Sequence, residues 1–228
     1  MKIHDIKPLH GWRAFLGEVG IIVLGVLVAL VVGQFAQDWQ WQQDVASARD
    51  SLNAEIVADL SFARERVAYH DCAQAYLAAI RKAATDPAPL KPFASSYPLY
   101  MREWSSNSWD VVNASQASSH MEREQMLKYA NVFSGARMFS QWNAKEFDLL
   151  ADLDAPVTDQ ATGRERIALA AQRLTNLDYA MSVGSRQFID EAKDLGLRTR
   201  PQDEATLRKE FVCDGPDGKP LAATYKAP

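Results

Sequence analysis

Two cysteines are the clearest candidates in this chain for a chemical role, as the partners of a disulfide bond. Cys72 and Cys213 are the only cysteines among the 228 residues. In an oxidising compartment a disulfide bond between them would close a loop of about 140 residues, stabilising the fold by about 4 to 5 kcal/mol in the chain-entropy description. The alternative is a pair of buried, unpaired thiols.

Metal chemistry has weaker candidates. His120, Glu122 and Glu124 form the densest group of metal-binding side chain types. On one helix, His120 and Glu124 would share a face while Glu122 would point elsewhere, which leaves two ligands where zinc needs three or four. The consecutive His, Asp and Cys at residues 70–72 diverge in the same way. We therefore expect surface or capping histidines, with no metal and no cofactor.

Catalytic sequence motifs are missing as well. The sequence has no phosphate loop, dinucleotide-binding fingerprint, HExxH zinc pair or GxSxG nucleophile elbow. The Asp-Gly pairs at 214–215 and 217–218 predict turns, but they lack the other ligands of a calcium loop. The chain is therefore expected not to be an enzyme.

The charge balance excludes one class of partner. The formal net charge is −4, and beyond the N-terminus the basic residues are scattered among a larger number of acidic ones. Such a surface has no basic stripe for a phosphate backbone. Nucleic acid is therefore not an expected partner.

One apolar tract, residues 14–36, dominates the organisation of the chain. Residues 19–33 have no polar side chain, and Glu18 is the only charged residue of the tract. As a helix, the tract would be about 34 Å long, and the core of a bilayer is about 30 Å thick. An uncleaved transmembrane helix is predicted; a cleaved signal peptide and a buried core helix are the alternatives. The first A-x-A match, at 46–48, is too far beyond the apolar run for a usual cleavage site.

Tryptophans frame this tract. Trp12 precedes it, and Trp39 and Trp41 follow it. Because indole rings favour the membrane interface, these three residues are predicted interface anchors. The lipid bilayer is thus the first expected partner.

The charges that flank the tract predict its orientation. Lys2, Lys7 and Arg13 precede it, whereas between residues 37 and 58 Arg49 is the only basic residue. The positive-inside rule then places the N-terminus in the cytoplasm. The rest of the chain would lie in the periplasm of a bacterium, anchored in the inner membrane.

Small residues recur on one face of the predicted span. Gly25, Ala29 and Gly33 are four residues apart, and Gly17 lies eight residues before Gly25. This spacing lets two membrane helices approach closely, although glycine is also common in membrane helices generally. The pattern suggests a homo-oligomer or a complex with another envelope protein.

Glu18 allows two interpretations. An intramembrane carboxylate is by default a functional candidate, and it could pair with a basic residue of a partner. It also lies about one turn inside the cytoplasmic edge, where it can reach the interface near the start of the helix.

The anchor resembles that of a known group. Gly17-Glu18, Gly25, Ala29-Leu30 and a polar helix beginning near Trp39 are similar to the N-terminal anchor of uncharacterised bacterial single-pass membrane proteins. The resemblance covers roughly residues 14–60. It implies an anchor followed by a helical external domain, and no known activity.

The remaining chain reads as helical. An apolar stripe with spacings of three or four residues runs along residues 52–67, flanked by polar residues that include Glu55 and Asp59. A coiled-coil stalk competes with a packed helix here, but the stripe persists for barely three heptads. Four prolines between residues 87 and 98 predict a linker. Further helices are predicted at 109–116 with Ser108 as N-cap, at 121–153 with Phe147 among its apolar residues, at 164–195 with Gly196 as C-terminal cap, and at 201–211.

Together these features predict an all-α protein, with a single N-terminal transmembrane helix followed by an antiparallel helical bundle. The expected organisation is a cytoplasmic N-terminus at 1–13, a transmembrane helix at 14–36, a helix continuing at 37–85, a Pro-rich linker at 86–103, a bundle at 104–213 and a tail at 214–228. The leading functional hypothesis is a membrane-anchored protein whose external domain mediates protein interaction or self-association. The alternative is a periplasmic ligand-sensing bundle, which would need a partner because about 13 residues leave no room for a cytoplasmic signalling domain.

Overall fold

The structure is a computed structural model that describes residues 11–86, 102–154, 160–217 and 219–221. Within these ranges the chain forms six helices and one isolated bridge, between Asp214 and Pro220. The helices are α1 (Gly11–Thr85), α2 (Asn107–Ala114), α3 (Ala117–His120), α4 (Arg123–Asp154), α5 (Gln160–Asp194) and α6 (Pro201–Glu210). The all-α prediction is therefore confirmed.

Several predicted features fall outside the described residues. They are most of the cytoplasmic N-terminus, with Lys2 and Lys7, the four prolines of the predicted linker, and the end of the predicted tail.

The chain divides into two compact units, one up to Ser47 and the other from Ala48 onward. The first unit holds the apolar part of α1. Its most apolar 18-residue window has a mean hydropathy of 2.7, and none of that window is buried. Among the described residues α1 is the one helix that is long and apolar enough to cross a membrane, by length and composition.

The second unit is built on three long helices, whose directions follow from their contacts. Tyr129 of α4 donates a hydrogen bond to Asn53 of α1 at 2.8 Å, and further along both helices Glu146 pairs with Arg66. The part of α1 that belongs to this unit, residues 48–85, therefore runs in the same direction as α4. Helix α5 runs antiparallel to α4, because its Gly184 lies beside Phe139 of α4 while its Phe188 lies beside the earlier Gly135.

The core of this unit comes from the apolar faces of the three helices. On α1, Leu52, Ile56 and Leu60 are at most 2% exposed, which agrees with the predicted stripe. The largest fully buried side chains of the other two helices are Tyr129, Phe133 and Phe139 on α4, and Ile167, Leu174, Met181 and Phe188 on α5. Phe147 departs from the prediction, because it is 57% exposed while its neighbour Glu146 is buried.

The ends of two helices show how local sequence sets the fold. Helix α5 ends in a Schellman motif, in which Gly196 has a φ of +78° and Leu197 donates its backbone N–H to the carbonyl of Ala192. The predicted cap at Ser108 is wrong, since α2 begins at Asn107 and Ser106 is its N-cap residue. The side chain of Ser106 accepts no hydrogen bond from the first backbone N–H groups of α2. Glu55 of α1 accepts one from Ser108 instead.

Candidate functional site: the apolar helix and the cross-linked bundle

The predicted helix-packing residues all lie on the first part of α1. A Cβ atom built at Gly17, Gly25 or Gly33 would have no neighbour within 4 Å, apart from the helix's own nearby backbone, and Ala29 is exposed. Gly25, Ala29 and Gly33 are spaced by four residues and therefore lie on one face of the helix. They form an open strip of small residues along α1. Glu18, also exposed, lies next to Gly17 at the start of the same segment.

The predicted interface tryptophans lie on the same helix. Trp12 is 74% exposed and Trp39 is 66% exposed, whereas Trp41 is half-buried. The ring of Trp12 lies 6.3 Å from that of Phe15, centroid to centroid. Large aromatic side chains therefore lie before and after the apolar run, a placement that is common at the two interfaces of membrane-spanning helices.

Cys72 and Cys213 form a disulfide bond, which decides between the two alternatives for these residues. Their Cα atoms lie 5.7 Å apart, and the bond links positions separated by 141 residues. Cys72 is fully buried and Cys213 is 8% exposed. The bond ties the chain after α6 to the last third of α1.

Apolar side chains enclose this disulfide. Tyr69 of α1 is buried beside it, with Leu207, Phe211 and Leu221 packed around the pair. The ring centroids of Tyr69 and Phe211 are 4.7 Å apart. Helix α6 adds an ion pair between its Glu204 and Arg64 of α1, at 3.0 Å. Covalent, apolar and ionic contacts thus hold the C-terminal segment on α1.

A buried ion pair joins α1 to α4. The guanidinium of Arg66 donates two hydrogen bonds to the carboxylate of Glu146, one of them at 2.9 Å, and a third to the side-chain oxygen of Asn143 at 3.3 Å. The side chains of Arg66 and Glu146 are 6% and 1% exposed. Such a two-pronged pair fixes the register of the two helices, because neither charge can remain buried without the other.

A second polar contact joins α1 to α5. Nδ1 of His70 lies 2.7 Å from Oδ2 of Asp178, and the side-chain amide of Gln74 donates to the same oxygen at 2.7 Å. Asp178 is buried, whereas the side chain of His70 is 15% exposed. A carboxylate that orients an imidazole is one part of many catalytic and metal sites. For a metal, the further ligands are missing here, since among the described residues no three His, Cys, Asp or Glu side chains group to hold one.

The other predicted ligand group is dispersed. His120 is the last residue of α3, and Glu124 lies in the first turn of α4. The two residues therefore do not share the face of one helix, and all three members of the group, including Glu122, are exposed.

Residues 102–108 return the chain to the bundle and dock on α1. The carboxylate of Glu55 accepts hydrogen bonds from the backbone N–H of Asn107 at 3.0 Å and of Ser108 at 2.8 Å, and from the hydroxyl of Ser105. A carboxylate at this place satisfies backbone donors at the start of α2 and interacts well with the helix dipole. Glu55 thus caps α2 from another helix.

Asp59 lies one turn further along α1, beneath the same segment. Its Oδ1 accepts a hydrogen bond from the backbone N–H of Ser105 at 3.4 Å, and the residue is 2% exposed. Its Oδ2 is buried and has no hydrogen-bond partner among the described residues. Burial raises the pKa of Asp59 from 3.8 to about 7; the backbone hydrogen bond from Ser105 opposes this rise, and the Glu55 carboxylate adds to it.

Trp104 anchors the segment in the core. It is 5% exposed, stacks on Phe139 of α4 at 4.1 Å between ring centroids, and meets the ring of Phe188 of α5 edge-on at 5.4 Å. Its backbone carbonyl accepts a hydrogen bond from Ser140 at 3.0 Å. The segment therefore contacts all three long helices.

Sequence reasoning missed most of these polar residues. It placed Asp59 on the polar flank of the stripe, which is wrong because the residue is buried. A signal existed in the spacing: Asp59 lies three residues after Ile56, and Arg66 lies three after Ala63, so both fall within the helical rhythm of the core. The prediction assigned Asp59 to the surface because it is charged, although its position in the sequence matches the buried face. No comparable signal pairs His70 with Asp178, since the contact joins residues 108 positions apart.

Comparison of the chain with protein-family models, with curated proteins and with solved structures finds no match.

Proposed function

We propose that this protein is a single-pass protein of a bacterial inner membrane, with its N-terminus in the cytoplasm and its helical bundle in the periplasm. It acts by association, either with a second copy of itself or with another envelope protein, and not by catalysis. The group of bacterial single-pass proteins whose anchor it resembles fits this proposal.

The observation that carries the proposal is the bare apolar surface of the first unit. Large aliphatic side chains from Ile21 to Val32 are at least half exposed, and none of the most apolar window is buried. A continuous surface of this kind is unfavourable in water, whereas a helix satisfies its own backbone hydrogen bonds in a bilayer. Lipid is therefore the proposed surrounding of this segment.

The disulfide supports the proposed compartment. Structural disulfides form and persist outside the cytoplasm, and the buried bond between Cys72 and Cys213 lies in the second unit. This agrees with the orientation that the flanking charges predict, where Lys2, Lys7 and Arg13 precede the apolar run.

The open strip of small residues supports association. Because none of the described residues covers Gly25, Ala29 and Gly33, a second helix could approach the backbone of α1 there. Glu18 would then lie near the cytoplasmic edge, either at the interface or paired with a basic residue of the partner helix.

Replacing Gly25 and Ala29 together with leucine should weaken association several-fold, because the larger side chains hold the helix backbones apart. A genetic dimerisation assay in a bacterial membrane measures this effect for self-association. For a different partner, the measurement is the amount of a cross-linked complex in cells that express the full chain. The matched control is Val31→Leu, which enlarges a side chain on another face of the same helix. Equal association of the double variant, the control and the wild type in both measurements would contradict the proposal.

A further inference from the structure

The acidic residues Glu55 and Asp59 of α1 hold a segment that links distant parts of the second unit. Segment 104–108 contributes a buried tryptophan to the core and ends with the first two residues of α2. Its polar contacts to α1 end on these two carboxyl groups, through Ser105, Asn107 and Ser108. The polar contacts that hold the segment on α1 therefore depend on the charge of this pair, while Trp104 holds it in the core.

The two carboxyl groups are satisfied to different degrees. Glu55 accepts bonds from two backbone amides and a hydroxyl, which suits an ionised carboxylate. Asp59 has one long bond from Ser105, and its second oxygen is buried without a partner in the described part of the chain. A charge at this place would be poorly compensated and would lie one helical turn from the Glu55 carboxylate.

We propose that Glu55 and Asp59 form a proton-operated latch: segment 104–108 stays docked on α1 while Asp59 carries its proton, and release of that proton to solvent opens the segment. Opening would let water reach the Asp59 carboxylate, which removes the cost of a buried charge beside Glu55. Ser105 of the segment donates its backbone N–H to the Asp59 carboxyl, so the segment is the element that this proposal moves.

The other charged side chains around Glu55 and Asp59 are paired or exposed to solvent. On the α2 side, Asp110 is exposed and pairs with Arg137 of α4, which also donates a hydrogen bond to Ser106 at 3.3 Å. Further along α1 and α4, the buried charges of Arg66 and Glu146 pair with each other. The remaining charged side chains near the segment are exposed to solvent: Arg102 and Glu103 ahead of it, and Arg186 and Asp190 on α5. The charge that acts on the pKa of Asp59 is instead the Glu55 carboxylate, which raises it.

The direction of the pH effect follows from linkage. The pKa of Asp59 is about 7 in the closed state, above the ordinary value of 3.8. A group with a raised pKa stabilises the closed state fully below its ordinary value, and this contribution is lost as the pH rises through the raised value. If the opened carboxyl regains its ordinary pKa, the equilibrium constant for opening increases about thirtyfold between pH 5.5 and pH 8.

Hydrogen exchange on the full-length protein in detergent tests the latch. Peptides that cover residues 104–109 are followed at pH 5.5 and pH 8, after correction for the intrinsic exchange rate, with a core peptide of α5 as internal reference. In the wild type, protection of residues 104–109 should fall by about thirtyfold toward pH 8 while the α5 peptide keeps its protection. Asp59→Asn, which is neutral and of similar shape, should show no such fall.

Asp152→Asn is the matched control, because it neutralises an exposed carboxylate of α4 and should behave as the wild type. Protection that is independent of pH in the wild type would overturn the latch, as would an equal loss in Asp59→Asn. An equal loss in the α5 peptide would also overturn it, because opening would then be global. If Asp59→Asn fails to fold, the comparison of the two peptides within the wild type decides.

Discussion

Replacing both Cys72 and Cys213 with alanine should lower the free energy of unfolding of the bundle by about 5 kcal/mol. The bond closes a loop across a separation of 141 residues, and a cross-link of that length strongly restricts the unfolded chain in the chain-entropy description. For a unit of this size, the loss corresponds to a fall in Tm of roughly 10 to 20 °C. Alanine is preferred to serine here, because serine would add a hydroxyl group at positions that are at most 8% exposed.

Thermal unfolding of the purified protein, with and without reductant, measures this effect. The reduced wild type and the double alanine variant should unfold at similar temperatures, both well below the oxidised wild type. The loss should be accompanied by freer movement of α6, because the cross-link, the apolar cluster with Phe211 and the ion pair to Arg64 hold this region. A double variant that unfolds at the temperature of the oxidised wild type would contradict the prediction.

Replacing Glu146 with leucine should cost about 3 to 5 kcal/mol of stability. The change removes the carboxylate that Arg66 pairs with and leaves its guanidinium buried. The hydrogen bond to the side-chain oxygen of Asn143, at 3.3 Å, remains. An uncompensated buried charge is among the most destabilising changes in a protein core. The double variant Arg66→Met with Glu146→Leu removes both charges and should be much closer to the wild type.

Chemical denaturation of the wild type, both single variants and the double variant gives the coupling energy directly. Glu124→Ala is the matched control, since it breaks an exposed pair with Lys128 in the first turns of the same helix and should leave stability close to that of the wild type. Additive losses in the double variant would contradict the account, because they would mean that the two side chains stabilise the fold independently.

The all-α class could be predicted from the sequence because its signals are local. Periodic apolar residues, helix-breaking prolines and Gly196 each act within a few residues, and Gly196 indeed ends α5. The disulfide was one of two predicted alternatives, and counting cysteines could take the prediction no further. The predicted antiparallel order holds for α4 and α5, whereas α1 runs parallel to α4. The direction of α1 depends on contacts between residues distant in sequence, such as that of Asn53 with Tyr129.

The polar contacts inside the bundle were the hardest to predict. A charged residue in an apolar stripe is more often exposed than buried, so composition alone assigns Asp59 and Glu146 to the surface. Arg66 compensates the buried charge of Glu146, whereas Asp59 has one bond from the backbone of Ser105 and burial raises its pKa to about 7. Both contacts join residues distant in sequence. The cap of α2 by Glu55 is similar, since nothing near Asn107 in the sequence indicates an acceptor 52 residues earlier.

The central claim is that α1 crosses a membrane and places the bundle outside the cytoplasm. A pair of C-terminal reporter fusions tests it most directly, one reporter being active only outside the cytoplasm and the other only inside. The account predicts activity of the outside reporter alone, in the membrane fraction. Activity of the inside reporter would contradict the orientation and the oxidising compartment together.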